Sequence, residues 1–299
     1  MRRRAVLTAL VFLLALPAPA RAWSFDLHRY ITSRALALLP AGLRSFFERP
    51  QNRAFVVEHS IDPDLWRNAG FAQEPPRHFL DLDAYGAFPF VDLPRDYDEA
   101  VRKFGAETVA KNGLLPWRGA EIFERLVKAF RDTQGASPYA PDDVKFFAAV
   151  LSHYTGDAHV PFHAALNHDG QLTNQHGIHS RFEGELFRRF ESRVVARLKP
   201  PPLAPIQDPR DALFQTLLDS FGLVEPVLAA DRRAAAGRTE YDDDYFARFF
   251  AGAHPVLERR LSEAISGVAS MIAGAWEKAG RPDLSRERPR TNRKIRGGP

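Results

Sequence analysis

No cysteine occurs among the 299 residues, and only two methionines do. A chain without thiols has no disulfide, no thiolate nucleophile and no soft sulfur ligand for a metal ion. Long hydrophobic runs are scarce as well. The apolar stretch from Ala5 to Leu16 is about half of the roughly 20 residues that a membrane-spanning helix needs, and Pro17 and Pro19 interrupt it. Strand-like alternation is rare, and no internal repeat is present. An excess of positive charge is missing too, despite a formal net charge of +4. Arg2, Arg3, Arg4 and Arg21 carry that excess, and the rest of the chain holds 37 basic and 37 acidic side chains. The last segment, Arg281 to Pro299, has seven basic residues against Asp283 and Glu287, which leaves Trp23 to Gly280 at −5. A basic nucleic-acid footprint on the body is thereby excluded.

What is present begins with an export signal. Three arginines, an apolar run and the small-residue site Ala20-Arg21-Ala22 predict cleavage before Trp23. Residues 1–22 are read as a signal peptide, 23–280 as one domain, and 281–299 as a flexible basic tail with too few apolar residues to offset its ordering entropy. The protein is expected in the periplasm or outside the cell, as a monomer. With no disulfide available there, stability must come from the core and from metals.

Apolar residues at three-to-four spacing predict helices over 27–39, 97–112, 119–133, 142–153, 177–198, 210–228, 241–251 and 256–279. The fold class is all-α, a single multi-helix domain. A loop-rich region is expected around Pro50, Pro63, Pro75 and Pro76. Pro200, Pro201, Pro202 and Pro205 read as a stiff connector inside the domain.

The chemistry concentrates in 31 residues that hold His153, Asp157, His163, His179 and Glu183, in a chain with ten histidines. His153 and Asp157 lie one helical turn apart, and a continuous helix would put both on one face. His179 and Glu183 repeat that spacing on the next predicted helix. One such pair is commonly a surface histidine beside a helix-flank carboxylate. Two pairs with His163 between them point to a hard metal site of imidazole and carboxylate ligands, the chemistry of zinc. His159, His168 and His176 have no partner at ligand spacing and are left outside the set.

In this order the residues resemble the superfamily that contains bacterial zinc-dependent phospholipase C and the zinc-dependent single-strand nucleases of fungi and plants. The resemblance covers most of the chain after the leader. It implies that the amine and carbonyl of a mature N-terminal Trp bind zinc, and WSFDLHRYI supplies Trp23 and then His28. SIDPDLWR and HFLDLD supply Asp64 and His78, and His153, Asp157 and His163 meet the central His-x3-Asp-x5-His motif. His179 and Glu183 fill the later pair. By resemblance, three Zn2+ ions would sit in a cleft between helices. Asp64, His78, His153 and Asp157 would hold one, Trp23, His28 and Asp157 a second, and His163, His179 and Glu183 a third, with Asp157 bridging the first two. SIDPDLWR also contains Asp62, and spacing alone does not choose between the two. The Pro-Asp context and Arg67 three residues on favour Asp64, which the resemblance also makes the catalytic base or water-orienting group.

The resemblance implies hydrolysis of a phosphodiester. Phospholipid is the substrate expected first, with transient contact to a membrane surface, because GIHSRFEGELF resembles the phospholipase branch and carries Glu183 where the nucleases usually have Asp. A nucleic acid is the alternative, since the Trp23-to-His28 spacing is nearer the nuclease branch. A catalytically silent zinc protein is a third reading. Phe71, Phe88 and Phe90 are candidate aromatics to stack on bases or enter an interface.

Overall fold

The computed structural model describes residues 25–285 except Ala136, and it is all-α, with no strand among the described residues. Trp23, the signal segment and most of the basic tail lie outside them. The helices are α1 (Phe25–Leu38), α2 (Ala41–Phe47), α3 (Pro50–His59), α4 (Asp62–Asn68), α5 (Tyr97–Phe104), α6 (Ala106–Lys111), α7 (Leu115–Asp132), α8 (Ala140–Ala158), α9 (Ile178–Ser180), α10 (Leu186–Val195), α11 (Pro209–Phe221), α12 (Val224–Ala235) and α13 (Asp243–Lys278). Short 3-10 turns cover Pro75–His78, Leu82–Tyr85 and Pro161–His163, and a π turn spans Arg181–Glu185.

Helix α8 is the axis of the molecule, packed by α7, α13, α3, α1 and α11. Every residue from Ala148 to Ala165 is buried. A helix covered on all sides normally reads as apolar all round. This one carries Ser152, His153, Thr155 and Asp157 in its last two turns, so the polar residues there require partners inside the protein.

Several expected elements differ in extent, each for a local reason. The helix expected over 97–112 splits at Gly105, whose φ of +85° ends α5 and starts α6. The loop-rich region instead forms α2, α3 and α4, because Pro50 and Pro63 stand in first turns, where a missing N–H costs nothing. The two helices expected around Pro255 are one, α13, carried across the proline by buried Phe249, Phe250, Ala253, Leu257 and Leu261. Conversely, the span 210–228 breaks between α11 and α12. Asp96, Asp208 and Asp242 cap α5, α11 and α13 with side-chain bonds to backbone N–H groups at 3.1, 3.0 and 2.8 Å.

The proline connector is docked along α13. Lys199 N donates to Ser262 Oγ at 3.0 Å, Ala204 N to Ser270 Oγ at 3.1 Å and Ile206 N to Ser270 O at 3.1 Å. Together with Ser266 and Gly274, these serines form a stripe of small residues one helical turn apart, the spacing that lets an extended chain lie close. The start of the tail is also packed. Leu284 is buried, and Arg49 Nη2 donates to the carbonyls of Leu284 and Ser285.

Candidate metal centre

Three sets of ligand-type side chains converge at the C-terminal end of α8, namely His28, His153 and Asp157; Asp64, His78 and His153; and His163, His179 and Glu183. All eight residues are buried, Asp64, His153, Asp157 and Glu183 completely. His28 comes from α1, Asp64 from α4, His78 from a 3-10 turn, His153 and Asp157 from α8, and His163 from the turn that follows. The helix that starts near Asp142 does run past Asp157, so His153 and Asp157 share a face.

Asp157 is placed between the first two sets. Its Oδ1 lies 3.4 Å from His28 Nε2, while its Oδ2 lies 2.9 Å from His78 Nδ1 and 3.3 Å from His153 Nε2. Its two oxygens thus face different members of the cluster. The two aspartates of SIDPDLWR differ in their surroundings. Asp64 is fully buried, with Oδ1 3.8 Å from His78 Nδ1, and Asp62 instead faces His59 Nδ1 at 2.8 Å, away from the cluster.

The rings are oriented from behind. His153 Nδ1 donates to Ser60 O at 2.8 Å and His163 Nδ1 to the carbonyl of His78, so both rings present Nε2 to the centre. His78 thus contributes its ring to one set and its carbonyl to the orientation of another. The outer nitrogen of His78, Nε2, lies 3.7 Å from Glu74 Oε1, and Glu74 also receives Arg77 Nη1 at 2.9 Å and the Tyr154 hydroxyl.

These residues fit metal ions by a direct criterion. His28 Nε2, Asp64 Oδ2, Asp157 Oδ1, His163 Nε2, His179 Nδ1 and Glu183 Oε2 are buried without a hydrogen-bond partner, while Asp64 Oδ1 lies against Arg67 and His179 Nε2 against Glu183 Oε1. Such atoms cost about 1–3 kcal/mol each when unsatisfied, and a cation among them removes that cost. Their protonation tendencies are mixed: burial would lower His153, but the Asp157 and Asp64 charges outweigh it and raise this imidazole, whereas other histidines of the cluster are lowered. Burial holds His163 down to about 3 and His179 down to about 4, and burial with the His153 charge lowers His28. Neutral imidazole is the form that ligates. Burial and the Asp157 and Asp64 charges push Glu183 well above its usual range. Burial would raise Asp157 too, but His153 and His163 outweigh it and hold the carboxyl well below normal.

The centre opens on a cavity of about 320 Å³ lined by Arg67, His78, Asp81, Lys111, His163 and His179, with Pro75, Phe79, Phe162 and His168 completing the wall. Arg67 Nη2 is 2.8 Å from Asp64 Oδ1. Arg67, Phe79, Asp81, Lys111 and Glu74 were not identified as site residues from the sequence. Arg67 carried a signal in its three-residue spacing from Asp64, and Phe79 and Asp81 stood in the HFLDLD segment that supplied His78. His168 lines the cavity, whereas His159 is buried apart beside Arg260 and Gly267, and His176 is exposed. Of the aromatics expected at the surface, Phe71 and Phe88 are exposed, but Phe90 is core, edge-on to Phe221 at 4.9 Å.

No family model matches the chain, and no curated protein matches it.

Proposed function

We propose that the protein is an exported zinc-dependent phosphodiester hydrolase, with phospholipid as its first substrate class. The observation that carries this reading is the convergence of three buried His/carboxylate sets, several of their ligand atoms without a hydrogen-bond partner, beside a cavity that His78, His163 and His179 line together with two cations, Arg67 and Lys111. His28 and Asp157, with the Trp23 amine, would hold one zinc; Asp64, His78, His153 and Asp157 a second; His163, His179 and Glu183 a third. Zinc bound there supplies Lewis acidity, which neutralises phosphate charge and makes water acidic enough to attack near neutral pH.

The chain's own groups then have distinct tasks. Arg67 and Lys111 attract and orient the phosphodiester anion. Asp64, fixed against Arg67, orients the attacking water and accepts its proton. Attack forms one P–O bond and breaks another, releasing an alcohol and a phosphomonoester. The burial of the cluster under α1 and α8 keeps bulk water from its far side.

A single-stranded nucleic acid is the second reading, and one observation favours it. Phe79 and Asp81 share the cavity wall, and an aromatic ring beside a carboxyl can stack on a base and hydrogen-bond its edge. Hydrolysis of a soluble chromogenic phosphodiester before and after chelation tests the common claim. Turnover lost on chelation and restored by zinc is expected, and turnover that survives chelation, or is never present, contradicts it. Phospholipid micelles against single-stranded DNA then separate the two substrates.

A further inference from the structure

Arg181 stands between two residues of the third set, His179 and Glu183, which face the centre. It faces the other way. Its side chain is 8% exposed, and its donors are directed away from the cavity. Nε donates to Tyr245 OH at 2.8 Å, Nη1 to His176 O at 2.6 Å, and Nη2 to Asp231 Oδ1 at 3.1 Å and Gln175 O at 3.3 Å. The Tyr241 ring stacks over the guanidinium at 4.0 Å.

The acceptors are themselves fixed. Asp231, on α12, also receives the Tyr245 hydroxyl and Gln175 Nε2, the latter at 2.7 Å. Burial and the bond to Asp231 push the Tyr245 hydroxyl up, so it stays a donor. Asp231, Tyr245 and Gln175 are all buried. The network thus ties α12 and α13 to Gln175 and His176, and so to the loop that bears His168 on the cavity wall.

Two local features transmit this to the metal ligands. Gly177, at φ +79°, starts the short helix α9, and a Cβ there would approach Arg181 Nη1 to 3.1 Å. The π turn Arg181–Glu185 follows directly, so Arg181 points into the network while Glu183, two residues on, points into the centre. Asp169 closes the loop by accepting from Gly177 N at 3.0 Å and His179 N at 3.3 Å.

We propose that Arg181, Asp231 and Tyr245 form a positioning clamp that holds His179 and Glu183 in the geometry that accepts a metal ion, so that occupancy of the third set depends on α12 and α13. This rests on the metal-binding part of the proposed function and not on its substrate. Arg181 would orient ligands without touching substrate, and a lysine in its place, with no fork to span Tyr245, Asp231 and two carbonyls, would not substitute for it.

The test is zinc content of the full-length purified protein, equilibrated at a series of buffered free-zinc concentrations, for wild type, Asp231→Asn, Tyr245→Phe, Arg181→Lys and the direct ligand variant His179→Ala. Partners behind metal ligands are worth about 10- to 100-fold in affinity. The clamp predicts that one ion of the set weakens by about that factor in Asp231→Asn and Arg181→Lys, as His179→Ala loses it outright, while the other ions keep wild-type affinity. Tyr245→Phe, the mildest change, serves if either charged-pair variant fails to fold. Zinc binding unchanged in the clamp variants, with one ion lost in His179→Ala, overturns the clamp alone. No ion lost in His179→Ala overturns the third metal set and the clamp with it.

Discussion

At the scale of single residues, the decisive feature is where unpaired polar atoms are buried. Asp62 and Asp64 are indistinguishable by spacing, yet one pairs with His59 and the other is sealed into the cluster. Asp64→Asn is expected to lower turnover by about 100-fold or more, a usual value for a group that handles a proton in the transition state. Asp62→Asn should stay near wild type, and steady-state kinetics with matched circular dichroism separates the two. Asp81 allows a pH prediction. Burial, with help from the Asp83 charge, pushes its carboxyl up to about 7 from an ordinary 3.8. The folded state therefore binds this proton more tightly than the unfolded one. Its contribution is fully present below about 3.8 and is lost as pH rises through about 7. Urea unfolding of wild type against Asp81→Asn should show the variant losing less stability over that window, by on the order of 1 kcal/mol per pH unit. Identical pH slopes would remove Asp81 as the cause. The cluster of His153, Asp157, His163, His179 and Glu183 was legible in the sequence because imidazole and carboxylate recur one helical turn apart, whereas His28, Asp64 and His78 entered only through the family resemblance. Lys111 was not legible, since it meets the centre only through tertiary packing, and Glu74, four residues before His78, and Asp81, three after it, had local spacings that were not read as part of the site.

At the scale of elements, helical periodicity located most of the long helices, and the misreadings cluster at proline and glycine. Pro50 and Pro63 open helices, Pro255 is tolerated inside one, and Gly105 divides another. In each case the outcome is set by whether the freed backbone group finds burial or a helix end, which composition does not report. The connector at Pro200 to Pro205 is likewise stiff for a reason invisible in its own residues, namely the Ser262, Ser266, Ser270 and Gly274 stripe beneath it. A Cβ on Gly274 would stand 2.0 Å from Ile206 O. Gly274→Ala gains about 1 kcal/mol of helix propensity. Forcing the connector off α13 costs typically 1–3 kcal/mol and breaks hydrogen bonds to serine as well. Net destabilisation of about 2 kcal/mol is expected, and a variant more stable than wild type in urea would show that the connector is not held there.

At the scale of the whole molecule, the ligands are gathered from α1 to the π turn onto one buried helix end, and no disulfide assists. The chain thus brings together buried imidazoles and carboxylates, several of them without a hydrogen-bond partner, that could hold metal ions. Bound metal should stabilise the fold by mass action, about 4 kcal/mol at a thousandfold excess over the dissociation constant. Chelation is accordingly expected to lower the melting temperature by about 10 °C in a domain of this size, read by calorimetry with and without zinc added back. The account stands most directly on the metal content of the mature protein, purified without added chelator and measured by elemental mass spectrometry together with the N-terminal sequence. Three zinc ions per chain, with Trp23 as the first residue, is the result it predicts. A folded protein that carries no zinc and takes up none when zinc is supplied would contradict it.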